Sequence, residues 1–195
     1  MGTKASVGKP NVAGAVFVAP VGTTLPATAT ESLNSAFKNL GYVSEDGVTN
    51  TNGPEVSEIK AWGGDVILSP YSGKKDEWKL KLVSVLNPDV LAAVYGPDNV
   101  SGTLASGVTV RANSNEPPSM VWVIDMICSD GEDTAAKRVV IPNGKVSGLA
   151  DIVYKDSDAV GYEITIAALK GDSAFGYDSH KEYMKKTSGT SGSNG

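Results

Sequence analysis

The sequence has little of the side-chain chemistry on which most enzymes depend. Its 195 residues include one cysteine, Cys128, and one histidine, His180. A single cysteine excludes an internal disulfide. Cys128 ends an apolar run, which is typical of a small buried thiol, whereas His180 lies in a polar stretch, which is typical of a solvated side chain. There is no G-x-S-x-G motif, phosphate-binding glycine loop or cluster of zinc ligands. We therefore expect neither catalysis nor a cofactor.

Basic charge and long apolar runs are also scarce. The 17 lysines and arginines are outnumbered by 22 aspartates and glutamates, and the formal net charge is −5. This balance argues against a general nucleic-acid binder, because such proteins need basic surface to neutralise phosphates. The first apolar run is interrupted by Gly14 and Pro20, is too short to span a bilayer and lacks the pattern of a secretory signal. The sequence predicts a protein made in a cytoplasm, without membrane binding.

The glycines and prolines indicate the fold class. The 22 glycines and 10 prolines are spread along the chain, a pattern typical of many short strands joined by turns. A chain of 20.1 kDa suits one domain with a substantial core. We expect a flexible N-terminal arm at 1–11, one β domain at 12–170 and a flexible polar C-terminal tail at 171–195.

The most informative stretch is 76–96, which predicts a strand followed by a helix. Apolar side chains alternate with charged ones from 77 to 82, the pattern of a strand with one buried face. Asn87 is a good N-cap, and Pro88 suits the first helical position because no N–H is needed there. Gly96 predicts the end of the helix.

The remaining apolar segments are mostly strand-like. Alternating or short apolar runs predict strands at 13–18, 41–44, 65–69, 108–112, 120–128, 137–141, 145–154 and 160–168. Segment 32–40 has helical spacing but few other helical features, so both a helical turn and an irregular lead-in stay open. This order predicts a mainly β protein, an antiparallel β-sandwich or barrel flanked by one α-helix.

Segment 45–62 is a long polar stretch between two apolar segments of the chain. It is rich in asparagine, glycine and threonine, contains Pro54, and ends at Trp62. These features predict a long loop or a projecting hairpin. Segments of this length are uncommon in compact domains unless they have a role. Trp62 precedes two glycines and is expected to be exposed, whereas Trp78 and Trp122 lie on apolar faces and are expected in the core.

Asp125 and the acidic turn at 130–133 carry the notable charges. Asp125 lies within an apolar strand, where an unpaired buried charge is costly. It either pairs with Lys137 or Arg138 across a hairpin or faces solvent or an aqueous lumen, and the sequence leaves both open. The acidic turn lacks the ligand spacing of a calcium loop, so a solvated turn is the better interpretation.

Several ordered features resemble those of a known family, the major tail tube proteins of long-tailed bacteriophages, particularly the non-contractile type. The resemblance covers about residues 12–170. The segments that carry it are Ala19-Pro20-Val21-Gly22-Thr23, Leu25-Pro26, LGYVSEDGV at 40–48, the strand–helix stretch at 78–96 and Gly161-Tyr162-Glu163-Ile164-Thr165.

The resemblance implies how such a chain assembles. Hexameric rings of a helix-flanked β-sandwich stack into a tube, the sheets of neighbouring subunits line the lumen, and double-stranded DNA leaves the particle through it without specific binding. Other implied partners are the tape measure, terminator and distal tail proteins, and the implied location is the virion tail after synthesis in the bacterial cytoplasm. In such proteins an early loop contacts neighbouring subunits. The matching candidates here are Glu45, Asp46, Asn50, Asn52, Pro54, Glu55, Glu58 and Trp62, with Asp125 a candidate lumen or hairpin charge.

The net negative charge suggests a mechanism for such a tube. A net negative wall would repel phosphate and let the duplex slide. The alternative function is a secreted or displayed β-sandwich binding module for a carbohydrate or protein ligand, which shares the β-rich composition and acidic charge. The missing secretion signal and the lack of a clear exposed aromatic platform argue against it.

Overall fold

The computed structural model describes residues 5–10, 15–157 and 159–187. One α-helix, α1 (Pro88–Tyr95), and one short 3-10 helix (Pro97–Asn99) lie in this part of the chain. The strands of the same part are β1 (Val7–Pro10), β2 (Val16–Pro20), β3 (Lys38–Asn39), β4 (Val43–Val56), β5 (Ile59–Lys60), β6 (Val66–Leu68), β7 (Tyr71–Leu82), β8 (Val100–Thr103), β9 (Gly107–Val110), β10 (Met120–Ser129), β11 (Thr134–Leu149), β12 (Tyr162–Ala168) and β13 (Lys181–Thr187). The fold is mainly β with one α-helix, as the sequence predicted.

The β10–β11 hairpin is the centre of the main sheet. Each of its outer edges carries two strands placed end to end: β2 and β1 along β10, and β12 and β13 along β11. The sheet continues from β12 to β7 and β4 on one side and from β2 to β3 on the other. All these pairs are antiparallel. Two small hairpins, β5–β6 and β8–β9, lie outside this sheet.

Hydrophobic side chains pack on both faces of the central strands. The larger cluster joins α1 to the sheet and includes Trp78 and Trp122, so the predicted core positions of both tryptophans are confirmed. The indole Nε1–H of Trp122 donates to the carbonyl of Gly144 at 3.1 Å. A smaller cluster on the other face contains Val123, Val140 and Phe175. Because β10 is covered on both faces, its sequence is apolar at successive positions.

Helix α1 begins and ends where the sequence predicted. The side chain of Asn87 accepts a hydrogen bond from the backbone N–H of Asp89 at 3.0 Å. This satisfies one of the orphan amides of the first turn, and Pro88 has no amide to satisfy. Gly96 adopts φ +91°, which is unfavourable for other residues, and ends the helix. Val90, Leu91 and Val94 are buried against the sheet.

Three local expectations are refined or corrected. Segment 32–40 is irregular apart from β3, so the helical alternative is wrong. Residues 145–149 do not begin a separate strand, because β11 continues through them past a register shift between its pairs with β12. The first part of 45–62 is not a loop but β4, which pairs with β7 over nearly its whole length. The projecting hairpin is therefore the correct alternative.

Both chain ends, which were expected to be flexible, contribute strands to the sheet where the structure describes them. In the arm expected at 1–11, residues of β1 pair with the end of β10. In the tail expected at 171–195, β13 pairs with Thr134–Val140 of β11, and Phe175 is buried. Both strands supply partners to backbone groups of the long hairpin that would otherwise form open edges. The rest of those predictions, at 1–4, 11 and 188–195, lies outside the described residues.

Candidate assembly surfaces

The β4–β7 hairpin leaves the domain as a projecting arm. Val48 and Leu80 are paired at its root, where both contribute to the core. Val56 and Tyr71 are paired near its far end, where both are exposed. A strand advances about 3.3 Å per residue, so the five residues from Asp76, the last buried one, to Tyr71 carry the hairpin about 16 Å outward. Small hairpin β5–β6 forms its outermost part, called the tip here (residues 56–71).

The residues suggested as inter-subunit contacts are distributed along this hairpin rather than gathered into one cluster. Asn50 at the root donates to Asp76 Oδ1 at 3.0 Å and to the carbonyl of Glu77 at 3.1 Å. Glu58 pairs with Lys60 at 3.4 Å within the tip. The others lie exposed on β4 or, for Trp62, between β5 and β6: Glu45, Asp46, Asn52, Pro54, Glu55 and Trp62. Trp62 is fully exposed, as predicted.

The tip also exposes an apolar surface that the sequence analysis missed. Val56, Ile59, Trp62, Val66, Ile67, Leu68 and Tyr71 all belong to the exposed large hydrophobic residues. Large exposed apolar residues gathered on an otherwise polar arm favour contact with another protein surface. The available sign in the sequence was the recurrence of large apolar residues through a segment too polar to enter the core.

One face of the sheet is open and carries both signs of charge. Side chains alternate between the two faces of a strand. On β4, β7, β11 and β12 around Lys79, one set enters the core beside α1, and the other set points away from α1 and forms the open face. Lys79 pairs with Glu163 at 2.5 Å, and Lys75 pairs with Glu77 at 3.1 Å. The charged residues of this open face are Glu55, Lys75, Glu77, Lys79, Lys81, Lys145 and Glu163, four basic and three acidic. Thr49, Thr51 and Thr165 lie between them.

Asp125 is an interior charge. Arg138 on β11 holds its carboxylate with two hydrogen bonds, from Nε at 2.6 Å and from Nη2 at 2.8 Å. The remaining Nη1 of Arg138 donates to the carbonyls of Thr28 and Glu31. Only 6% of Asp125 is exposed. The structure therefore shows the pairing with Arg138 across the hairpin, and the alternative of a solvent-facing or lumen-facing carboxylate is wrong for this subunit.

His180 is not the solvated side chain that its sequence context suggested. Its imidazole is 11% exposed, and Nδ1 lies 2.5 Å from Oδ2 of Asp76. The ring also makes an edge contact with Trp78, with 5.2 Å between the ring centroids. Asp76 is buried at the hairpin root, where Ser179 and Asn50 also donate to it. No local pattern in the sequence indicates this cluster, because Ser179 and His180 lie more than a hundred residues from Asp76 along the chain.

An apolar groove lies at the opposite end of β7 from the tip. It has a volume of about 530 Å³ and runs between α1 and β2, with Val18, Pro20, Ala92, Ala93 and Met120 among its lining residues. Helix α1 follows the end of β7 that is distal to the tip, so groove and tip are separated by the length of the strand. The subunit thus has an exposed apolar projection and an apolar recess at different ends.

Neither a metal-binding cluster nor a membrane-spanning helix is found in the described part of the chain. No group of three or more histidine, cysteine, aspartate or glutamate residues there is arranged to hold a metal ion. None of its helices is both long enough and apolar enough to cross a membrane. An exposed apolar arm, an apolar recess and a mixed-charge face are surfaces suited to contacts with other chains, as in structural proteins that assemble.

Comparison with protein families agrees with this class. A family model described as "Phage tail tube protein" matches residues 7–186, nearly the whole chain. The chain therefore belongs to the phage tail tube protein family, as the resemblance in its sequence suggested. No curated protein matches the chain. The family is structural rather than enzymatic, and membership implies self-assembly, association with other tail proteins and a place in the virion tail.

Proposed function

We propose that this subunit forms hexameric rings that stack into the tube through which double-stranded DNA leaves the particle. Family membership supports the tube, and the exposed apolar tip is the observation in the subunit that favours stacking. Exposing seven large apolar side chains to water is unfavourable for a permanently monomeric protein. Covering them with a partner surface removes apolar area from water and stabilises the assembly. The tape measure, terminator and distal tail proteins would then meet the two ends of the stack.

The hairpin is proposed as the contact between successive subunits. The tip and the groove by α1 are both apolar and lie at different ends of the subunit. A contact between unlike surfaces of identical chains is heterologous, so it extends an assembly instead of closing a dimer. The suggested contact residues along β4, from Glu45 to Glu55, would line the approach, and Glu58 and Trp62 would enter the contact.

The open face of the sheet is proposed as the wall of the lumen. Its four lysines and three glutamates, together with Glu116, which pairs with Lys145, leave a net charge of about zero, unlike the chain as a whole. The acidic wall suggested by the net charge of −5 is therefore replaced by a balanced one. Lysines already paired with glutamates, as Lys79 is with Glu163, offer phosphate little net attraction. A duplex could slide along such a wall without being held.

Electron microscopy of the purified chain tests the proposal. Negatively stained, concentrated protein is expected to show hollow tubes or six-fold rings. The double variant Trp62→Ser/Ile67→Ser should reduce their number by at least about tenfold, since the apolar contact is worth several kcal/mol. Leu104→Ser is the matched control, because Leu104 is 62% exposed and Ile67 is 64% exposed, but Leu104 lies outside the tip.

The outcomes separate the parts of the proposal. Tubes in both the unaltered chain and the tip variant would contradict the role of the tip but keep the tube. The tube function would be overturned if only small particles form, both for the chain alone and after mixing with tail tips from its native source. Ala92→Glu, which places a charge at the groove, should act like the tip variant.

A further inference from the structure

The two sides of the projecting arm carry different residues. Side chains alternate along a strand and paired residues share a side, so the core residues Trp78 and Leu80 define the side that continues from α1, called the α1 side here. The other side continues the open face and carries Glu55, Lys75 and Glu77. An apolar contact made by the arm is separated from these charges only when its residues lie on the α1 side.

Strand β7 has one residue more than β4 near the end of the arm. Regular pairing of the two strands ends with Glu55 opposite Gly73, and the next pair is Val56 opposite Tyr71. Ser72 is therefore the extra residue of a β-bulge. Bulges of this kind change the direction in which the following side chains point.

The bulge determines the side on which Tyr71 lies. Simple alternation along β7 from Trp78 would place Ser72 on the α1 side and Tyr71 on the open side. Tyr71 instead pairs with Val56, which follows the core residue Val48 by an even number of positions and so lies on the α1 side. Both residues are exposed, and an aromatic ring opposite a β-branched side chain is a favourable cross-strand pair. The apolar surface of the tip therefore begins on the α1 side.

The apolar groove lies on the same side of the sheet. Ala92 and Ala93 of α1 line it together with Val18 and Met120 of the sheet. Three of these residues, Ala93, Val18 and Met120, belong to the cluster that packs α1 on the sheet. Groove and tip thus occupy opposite ends of β7 on one side. Displacing a second copy along β7 without turning it over brings the two surfaces together, and repeating the displacement extends the assembly.

We propose that the Ser72 bulge is the positioning element that turns the apolar surface of the tip to the α1 side, where it enters the groove of a second copy. The charges on the opposite side of the arm then remain with the open face. This inference rests on the proposed function, and it adds the side of the arm on which subunits meet and the residue that sets this side.

Cysteine crosslinking of the assembled full chain tests the side of the contact. In a Cys128→Ser background, protein with Ala92→Cys in the groove is mixed with protein carrying either Val56→Cys or Glu55→Cys, which are neighbours on opposite sides of the arm. A short bis-maleimide should join Val56→Cys to the groove at least about tenfold more than Glu55→Cys, because successive side chains point to opposite faces. Mass spectrometry counts the joined peptides.

Two changes at the bulge test the role of Ser72. Insertion of one alanine between Glu55 and Val56 gives Ser72 a partner and moves the pair of Val56 and Tyr71 to the open side, so tubes counted by electron microscopy should decrease at least about tenfold. Deletion of Ser72 is the matched control, because it removes the bulge but keeps this pair on the α1 side, and tubes should persist. Urea unfolding should detect little change in either variant, since both changes lie outside the core.

The outcomes distinguish this inference from the proposed function. Equal joining from Val56→Cys and Glu55→Cys would overturn the inference but leave the tube, and so would undiminished tubes in the insertion variant. Loss of tubes on deletion of Ser72, with stability retained, would show that the bulge does not act by setting the side and would also overturn it. Absence of tubes from the unaltered chain would overturn the proposed function itself, and this inference with it.

Discussion

The β10–β11 and β4–β7 hairpins use strands of similar length in opposite environments. Strands β10 and β11 have 10 and 16 residues, and β4 and β7 have 14 and 12. The first hairpin is buried on both faces around Trp122 and Val123. The second is buried only at its root and is exposed beyond Asp76. Strand pairing alone is therefore not what separates core from arm in this subunit.

The central hairpin contributes most to stability, whereas the projecting hairpin provides the exposed contact surface. Side chains of the central hairpin contribute apolar burial on two sides and enclose the Asp125–Arg138 pair. The projecting hairpin contributes backbone hydrogen bonds but leaves its apolar tip uncovered. The energetic cost of changing a residue should therefore fall along the path from the central sheet to the tip. The following predictions measure that gradient, beginning with the largest effect.

Arg138→Ala is expected to destabilise the subunit most, by about 3–5 kcal/mol, because it leaves the buried Asp125 carboxylate without its partner. It also removes the donor to the carbonyls of Thr28 and Glu31. Urea unfolding measures the change. Lys79→Gln is the control in the exposed pair with Glu163 and should cost at most about 1 kcal/mol. Similar losses in the two variants would contradict the contrast between interior and exposed pairs.

Ile166→Ala and Ile67→Ala compare the same substitution in the two regions. Ile166 is fully buried on β12, and its truncation should cost about 2–5 kcal/mol. Ile67 is 64% exposed at the tip, and its truncation should change the stability of the monomer by no more than about 0.5 kcal/mol. Both are measured by urea unfolding of dilute protein. A large loss for Ile67→Ala would show that the tip packs on its own subunit.

Acid should weaken the junction between the two regions through Asp76. Burial is the largest single influence and raises the pKa of this carboxyl, but hydrogen bonds from Ser179, His180 and Asn50 and the charge of His180 together hold the pKa below its ordinary value of 3.8. A lowered folded-state pKa stabilises the fold above the unfolded pKa, and this contribution is lost as the pH falls through the folded value. Between about pH 5 and about pH 2, unaltered protein should lose more stability than Asp76→Asn. Parallel losses in urea unfolding would contradict this.

Glu163→Gln should have the smallest effect on stability, within about 1 kcal/mol, because its pair with Lys79 is exposed. Its expected effect is on the net charge of the open face, which would become more positive by one unit. If this face lines the lumen, DNA delivery should slow while the tube still assembles, as counted by infectivity and by electron microscopy. Normal infectivity in a series that ends with Glu163→Lys would contradict the proposed lumen wall.

Local sequence patterns predicted much of the sheet and the helix. The alternation from Trp78 to Leu82, the cap at Asn87 and the stop at Gly96 depend on side chains next to one another in the chain, so no knowledge of distant contacts was needed. The same applies to the central strand at 120–128. The polar composition of 45–62 predicted that this segment leaves the core, but it could not distinguish a loop from a strand, because the pairing partner lies on β7.

The functional surfaces were predicted less completely for the same reason. The sequence by itself determined the β class, the capped helix, the core tryptophans, the exposed Trp62 and the absence of familiar catalytic motifs. Only the tertiary structure decided that Asp125 is paired inside the subunit, that β13 joins the sheet, and that Asp76 meets His180. Each of these contacts joins residues whose individual contexts look ordinary. The roles of these residues depend on burial and proximity, which arise only when the fold brings distant strands together.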